Sequence, residues 1–294
     1  LDALMTRTCL RPIPTGQVTK KQALFFGVLL SIGSVSLLYF SSNLMSASLL
    51  LLTICFYFFI YTVWLKRRTP QNIVIGGAAG ALPPIIGWTI ATGSLSIEPL
   101  ILFLIIFFWT PSHFWALSIY KSNDYKKAKI PMLPLIHGID KTKKNIFIYS
   151  LLMLPTISAP YLIGFLSEIF FYPASVLTIY YVYLCGTLLK IKKSKEINTL
   201  ARKIFLYSIF YLFVIFLLIL SDHFLMSFFG LKKEQYYYGT FVCCFYVVFI
   251  FANVEQYRNI FSRYIEVEKP PFTFYACWCI FLDARLDFCS CSFV

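Results

Sequence analysis

The sequence predicts an all-α fold, a polytopic bundle of transmembrane helices, on three observations. Hydrophobic residues make up 59% of the 294-residue chain and charged ones only 13%, with a mean hydropathy of +0.74. A soluble domain carries about a quarter charged residues, so this chain has too little charge to coat a water-facing surface. Residues 22–65 contain no Asp, Glu, Lys or Arg; the bilayer core takes about 20 apolar residues, so that stretch holds two spans. The apolar runs are continuous rather than alternating, which excludes a β-barrel, and a spanning segment that satisfies its own backbone polar groups is a helix.

Seven apolar segments follow in order, at 22–41, 46–65, 72–92, 99–120, 145–166, 170–189 and 204–221. The first pair is the charge-free stretch, parted at 42–45. The third contains "GGAAGA", residues 76–81, and then Pro83-Pro84. It lacks the Lys-Ser/Thr ending of a phosphate loop; small residues in a span let helices approach closely. The prolines at 83–84, and Pro111 in the fourth segment, predict kinks. Residues 226–294 read as an appendage of unknown role, set apart from a domain at 1–225. The appendage has one further apolar run, 236–252, and holds six of the nine cysteines. Cys277/Cys279 and Cys289/Cys291 are each separated by one residue, poor spacing for zinc. Cys9, Cys55 and Cys185 read as small apolar residues.

Charge gives the orientation. Up to residue 221, the connections at 1–21, 66–68, 121–144 and 190–203 hold twenty Lys and Arg, and the alternate connections 42–45, 93–98 and 167–169 hold none. That is the positive-inside pattern. It places the basic loops in the cytoplasm, or in the matrix for a mitochondrial protein, and we expect a bacterial inner membrane, with the mitochondrial inner membrane as the alternative. The net charge of +13 is then a topology signal and not a nucleic-acid surface.

Three clusters of unusual residues fall on that basic side. "LDALMTRTCLRPIPTG", residues 1–16, offers Asp2, Arg7 and Arg11. "YTVWLKRRTPQNIVIGGAAGALPPIIGW", residues 61–88, offers Lys66, Arg67, Arg68 and Asn72. "WTPSHFWALSIYKSNDYKKAKIPMLP", residues 109–134, offers His113, Lys121, Asn123, Asp124 and Lys126. Magnesium binds through one or two carboxylates plus substrate phosphates, and Lys and Arg neutralise the remaining phosphate oxygens. Carboxylates alone would repel a diphosphate; lysines alone would bind it without helping it leave. The combination at a membrane lip suits a lipid diphosphate. Each residue also has a plainer reading: Lys66–Arg68 as topology signal, Asp2 and Asp124 as solvated interface residues, His113 as a packed, hydrogen-bonded side chain. Composition and topology alone reach a one-sided basic site containing carboxylates, and no reaction.

Taken together and in this order, the three stretches closely resemble the UbiA-type family of intramembrane prenyltransferases, in its haem-modifying branch. The resemblance covers residues 1–225. It implies a nine-helix bundle whose third to ninth helices are the seven segments above, with the first two expected before residue 1, and an active site opening on the basic side. Asp2 matches the last aspartate of the family's first acidic motif, with Met5, Arg7 and Thr8 trailing it, and Asp124 matches the acidic position of the second. By the resemblance, Asp2 and Asp124 are the catalytic metal ligands holding Mg2+, and Arg7, Arg11, Lys66, Asn72 and Lys121 bind the diphosphate. His113 is a haem contact, and Trp109, Phe114, Trp115 and Tyr120 line the prenyl channel or shield a cation. The implied substrates are farnesyl diphosphate and haem B, joined at a vinyl group to give haem O and diphosphate, in the lipid bilayer and with haem A synthase as a partner. The same fold would serve an enzyme acting on a quinone precursor or another aromatic acceptor. A transporter is the alternative of another class, against which stands the lack of an internal repeat with matched broken helices. A haem electron carrier would need a second intramembrane axial ligand beside His113.

Overall fold

The computed structural model describes residues 12–66, 68–127 and 130–228, apart from the side chains of Asp124 and Ser227. Every regular element among them is helical: α1 (Lys20–Ser41), α2 (Leu44–Cys55), a π-helical continuation of α2 (Phe56–Leu65), α3 (Asn72–Ala81), α4 (Pro83–Thr92), α5 (Ile97–Tyr120), α6 (Ser122–Lys127), α7 (Leu133–His137), α8 (Ile139–Leu162), α9 (Glu168–Lys190) and α10 (Ser194–Phe228). Seven spans long and apolar enough to cross a membrane result, with α2 and its continuation forming one and α3 with α4 another. This is therefore a multi-pass membrane protein. The expected run at 236–252 and the cysteines after residue 240 lie outside the described residues.

Local chemistry sets the ends. Thr19 opens α1 with a reciprocal cap, its hydroxyl accepting from the Gln22 N–H and the Gln22 side chain accepting from the Thr19 N–H at 3.0 Å. Asn43 caps α2 by accepting from the Ser46 N–H at 2.8 Å, while its amide donates to the Thr89 carbonyl at 2.8 Å. Pro83 has no N–H to continue the ladder of α3, so the third span breaks at Leu82 and restarts with prolines in its first turn. Pro111, by contrast, lies inside an unbroken α5. Gly93, with φ 69°, takes the left-handed position that closes α4.

In lipid, helices gain little from mutual hydrophobicity, and association rests on close packing and interhelical hydrogen bonds. Both are visible. α8 packs against α9 and α5, and α10 against α5 and α9. The α5–α10 seam carries Trp109 Nε1–H donating to the Ser208 carbonyl at 2.8 Å. Between α5 and α9, Tyr181 OH meets Ser112 Oγ at 2.8 Å; between α9 and α10, Tyr211 OH meets Thr178 Oγ1 at 3.0 Å. Asp222 near the end of α10 is fully buried and accepts from the Ser167 N–H and hydroxyl, fastening the start of α9. Large apolar side chains such as Phe25, Leu29 and Ile32 on α1 are exposed, a stable state for surface that meets lipid.

Candidate active site

The contacts at the span ends divide into two sets. Asn43 on Thr89 and Asp222 on Ser167 tie together the loops without basic residues. Lys143 on Ile191 and Asn72 on Lys66 tie together elements at the other, basic end. The second and third sequence clusters therefore share one end of the bundle.

Lys66 is the half-buried residue that ends the π-helical segment, its N–H bonded to the Tyr61 carbonyl at 2.9 Å. Asn72, one turn of loop later, is buried at the start of α3. Its amide donates to the Lys66 carbonyl at 3.4 Å, and its Oδ1 is enclosed without a partner. Asn72 thus holds the loop that carries Lys66, with one donor already committed there. The approach of α3 to the second span depends on Gly76, since a Cβ there would overlap the Tyr61 ring.

On the other side, α5 ends at Tyr120 and the chain turns at Lys121 into α6. Lys121 is exposed, with its ammonium 4.9 Å above the Tyr120 ring. The guanidinium of Arg202, from α10, lies 5.8 Å from the same ring. The sequence marks Arg202 only as one of six basic residues at 190–203, and nothing in its local pattern distinguishes it; the fold brings it to the second motif. Asp124 belongs to α6, with its side chain outside the described residues. The Pro131–Pro134 stretch returns the chain to the bundle, anchored by fully packed Leu133. An open cavity of about 470 Å³ is lined by Tyr125, Lys126, Pro131 and Pro134. The proline segment at the lip thus frames space beside the acidic position.

Asp2, Arg7, Arg11 and Arg67 lie outside the described residues. His113 lies deeper in α5, buried, with Nδ1 2.6 Å from Ser208 Oγ. Among the expected channel aromatics, Phe114 is exposed, whereas Trp115 is 1% exposed with its Nε1–H enclosed and unpartnered. Among the described residues no group of three His, Cys, Asp or Glu side chains is placed to hold a metal ion. The carboxylates expected to do so have side chains outside the description, and their hard oxygen donors are of the kind magnesium takes.

Comparison with known proteins supplies the remaining link. The UbiA prenyltransferase family profile matches residues 1–209. Over 222 residues the chain is 66% identical to Protoheme IX farnesyltransferase of Pelagibacter ubique (strain HTCC1062), covering 76% of this chain and 73% of the relative. It is 47% identical over 222 residues to the protein of that name from Parvibaculum lavamentivorans (76% and 70% covered) and 50% identical over 224 residues to that of Ehrlichia ruminantium strain Gardel (76% and 75%). No solved structure matches the chain.

Proposed function

Because this chain belongs to the UbiA prenyltransferase family, we propose that it is a protohaem IX farnesyltransferase, joining the farnesyl group of farnesyl diphosphate to a vinyl group of haem B. The observation that carries this reading is the 66% identity over 222 residues to a relative bearing that name. The one-sided basic lip agrees with it, since an amphiphilic diphosphate needs its charged head at the interface and its tail among apolar helices.

In this reading Lys66 and Lys121, with Arg7 and Arg11, neutralise the diphosphate as the C1–O bond of the prenyl group breaks. Positive charge placed where negative charge develops is often the largest single term in catalysis. The departing pair of electrons stays on the diphosphate, and the allylic cation left behind takes the electron pair of the vinyl group. Water adds to the resulting cation next to the porphyrin ring and releases a proton, giving the hydroxyethylfarnesyl group. Asp2 and Asp124 would hold Mg2+, which would offset diphosphate charge. Arg202 extends the cationic set around Tyr120. The setting is a bacterial inner membrane, with haem A synthase taking up the product.

The test is the haem content of cells that express the enzyme or an Asp124→Asn variant, read by mass spectrometry. The asparagine keeps the size of the side chain and removes its charge. Loss of one group that stabilises the transition state costs about 10²–10³ in rate, so haem O should disappear while haem B persists. Normal haem O in the variant would remove Asp124 from the mechanism; absence of haem O with the unaltered enzyme would sink the reaction itself.

A further inference from the structure

Between α5 and α8 the chain leaves the bundle and comes back, and its return forms a shelf. Tyr125 of α6 is buried against Ile130 and Met132, and the Ile130 N–H closes the bend on the Tyr125 carbonyl at 3.2 Å. Leu133 is buried in the bundle core, and α7 packs against α8, α5 and α6. Pro131 and Pro134 fix their own φ and stiffen this stretch. The residues that follow are not buried: Leu135, Ile136 and Ile139 are all exposed, Ile136 at 55%.

Exposed apolar side chains are ordinary where spans meet acyl chains, but these stand at the basic end. α8 begins at Ile139, and Asp140, Lys141 and Lys144 in its first turns are exposed. The apolar strip therefore lies at headgroup level. An element bound there sets its apolar side chains among acyl chains and its lysines in water. The cavity of about 470 Å³ shares Leu135 and Ile136 with the strip; Ile130, Pro131 and Pro134 continue its apolar walls, and Lys126 is the charged residue among those lining it.

Charge selects the occupant. Residues 121–144 hold seven lysines and two aspartates. Asp140 is already paired with Lys143 at 2.9 Å, and Lys126 and Lys127 are exposed with no ion pair to a described side chain. Apolar walls beside one cation suit a ligand that is anionic at one end and hydrocarbon at the other. A phospholipid of the adjoining leaflet is such a ligand, and basic segments at a membrane surface attract anionic headgroups.

We propose that the groove between α6 and α7 seats one anionic phospholipid from the leaflet on the basic side, with its phosphate on Lys126 and an acyl chain along Pro134, Leu135 and Ile136. Seated there, the lipid ties the loop that carries Asp124 to the membrane surface.

The full chain, reconstituted in nanodiscs of equal parts phosphatidylcholine and phosphatidylglycerol, is released and weighed by native mass spectrometry. The expected result is one phosphatidylglycerol retained in preference to phosphatidylcholine. Lys126→Gln should weaken retention about five-fold, the weight of one lysine at an anionic surface, and Ile136→Ser should weaken it as well. Lys141→Gln removes a lysine of the same loop that does not line the groove and should weaken it less. Thermal unfolding of the variants should match the unaltered protein, since all three side chains are exposed. Equal retention of the two lipids, or equal loss in Lys126→Gln and Lys141→Gln, overturns the proposal. So does displacement by glycerol phosphate, which would make the groove a plain phosphate site, or by farnesyl diphosphate, which would give it to the substrate. A dimer that Ile136→Ser splits into monomers would assign the strip to a second copy and overturn it too. Retention is read without turnover. Protein that makes no haem O yet keeps phosphatidylglycerol fails as a farnesyltransferase and supports the lipid site; haem O formed by protein with no lipid preference does the reverse.

Discussion

Lys143 shows how one residue can carry a structural duty that its type conceals. Its side chain is 4% exposed, and its ammonium donates to the Ile191 carbonyl at 3.0 Å and pairs with Asp140 at 2.9 Å. Ile191 follows the last turn of α9, where unpaired carbonyls and the helix dipole attract a cation. A hydrogen bond from a charged donor contributes about 1.5–3 kcal/mol. Lys143→Ala should therefore lower the thermal unfolding temperature in detergent. Asp140→Asn, at a carboxylate whose side chain is 91% exposed, should leave it nearly unchanged. Equal effects of the two would mean the ion pair, and not the carbonyl contact, is what matters. Lys121 makes the contrast, being exposed and resting on an aromatic face. Sequence assigns these two lysines the same role in topology, and only the fold separates them.

At the scale of elements, α3 depends on what its glycines do not carry. A Cβ at Gly77 would come 2.9 Å from Thr110 Cγ2 on α5. Thr110 has little freedom to retreat, because its hydroxyl is bonded to the Ile106 carbonyl at 2.7 Å. Overpacking of this kind costs about 1–3 kcal/mol, so Gly77→Ala should destabilise the bundle. Gly80 has nothing within 4 Å of the same position, and alanine there gains helix propensity of up to about 1 kcal/mol. Thermal unfolding should rank Gly80→Ala at or above the unaltered protein and Gly77→Ala below it; the opposite order would refute the packing argument. The run of small residues makes close approach legible, but which glycine meets which neighbour is a tertiary fact. The same limit explains the other gaps. Apolar length alone locates the spans, yet α8 begins at Ile139 and not near 145, because its charged first turn, Asp140 to Lys144, lies at the water-facing end and is helical without being apolar. The short helices α6 and α7 hide in a stretch rich in lysine and proline. Of the expected site, the Lys66 and Asp124 clusters were legible as residues on one side of the membrane. The His113–Ser208 contact, 95 residues apart in sequence, and the placing of Arg202 have no local signature.

For the whole molecule the decisive property is sidedness. Twenty basic residues precede residue 222 on one set of loops and none on the other, and the bundle gathers each set at its own end through the contacts of Lys143 and of Asp222. A membrane potential favours each positive charge on its negative side by about 2.3 kcal/mol per 100 mV, so the reversed orientation is strongly opposed. Labelling from either side of the membrane tests this. Ser94 and Lys126 are both exposed and lie in loops of opposite class. In a background depleted of other reactive cysteines, Ser94→Cys should react with a membrane-impermeant maleimide applied to intact cells. Lys126→Cys should react only once the membrane is opened. Reaction at Lys126→Cys in intact cells would turn the bundle over, and with it the proposed site, since the cavity beside Tyr125 would then open on the outer side of the membrane. The expected pattern instead places that cavity, the Lys66 loop and the Tyr120 cations on the side that carries the basic loops, where the proposed diphosphate site requires them.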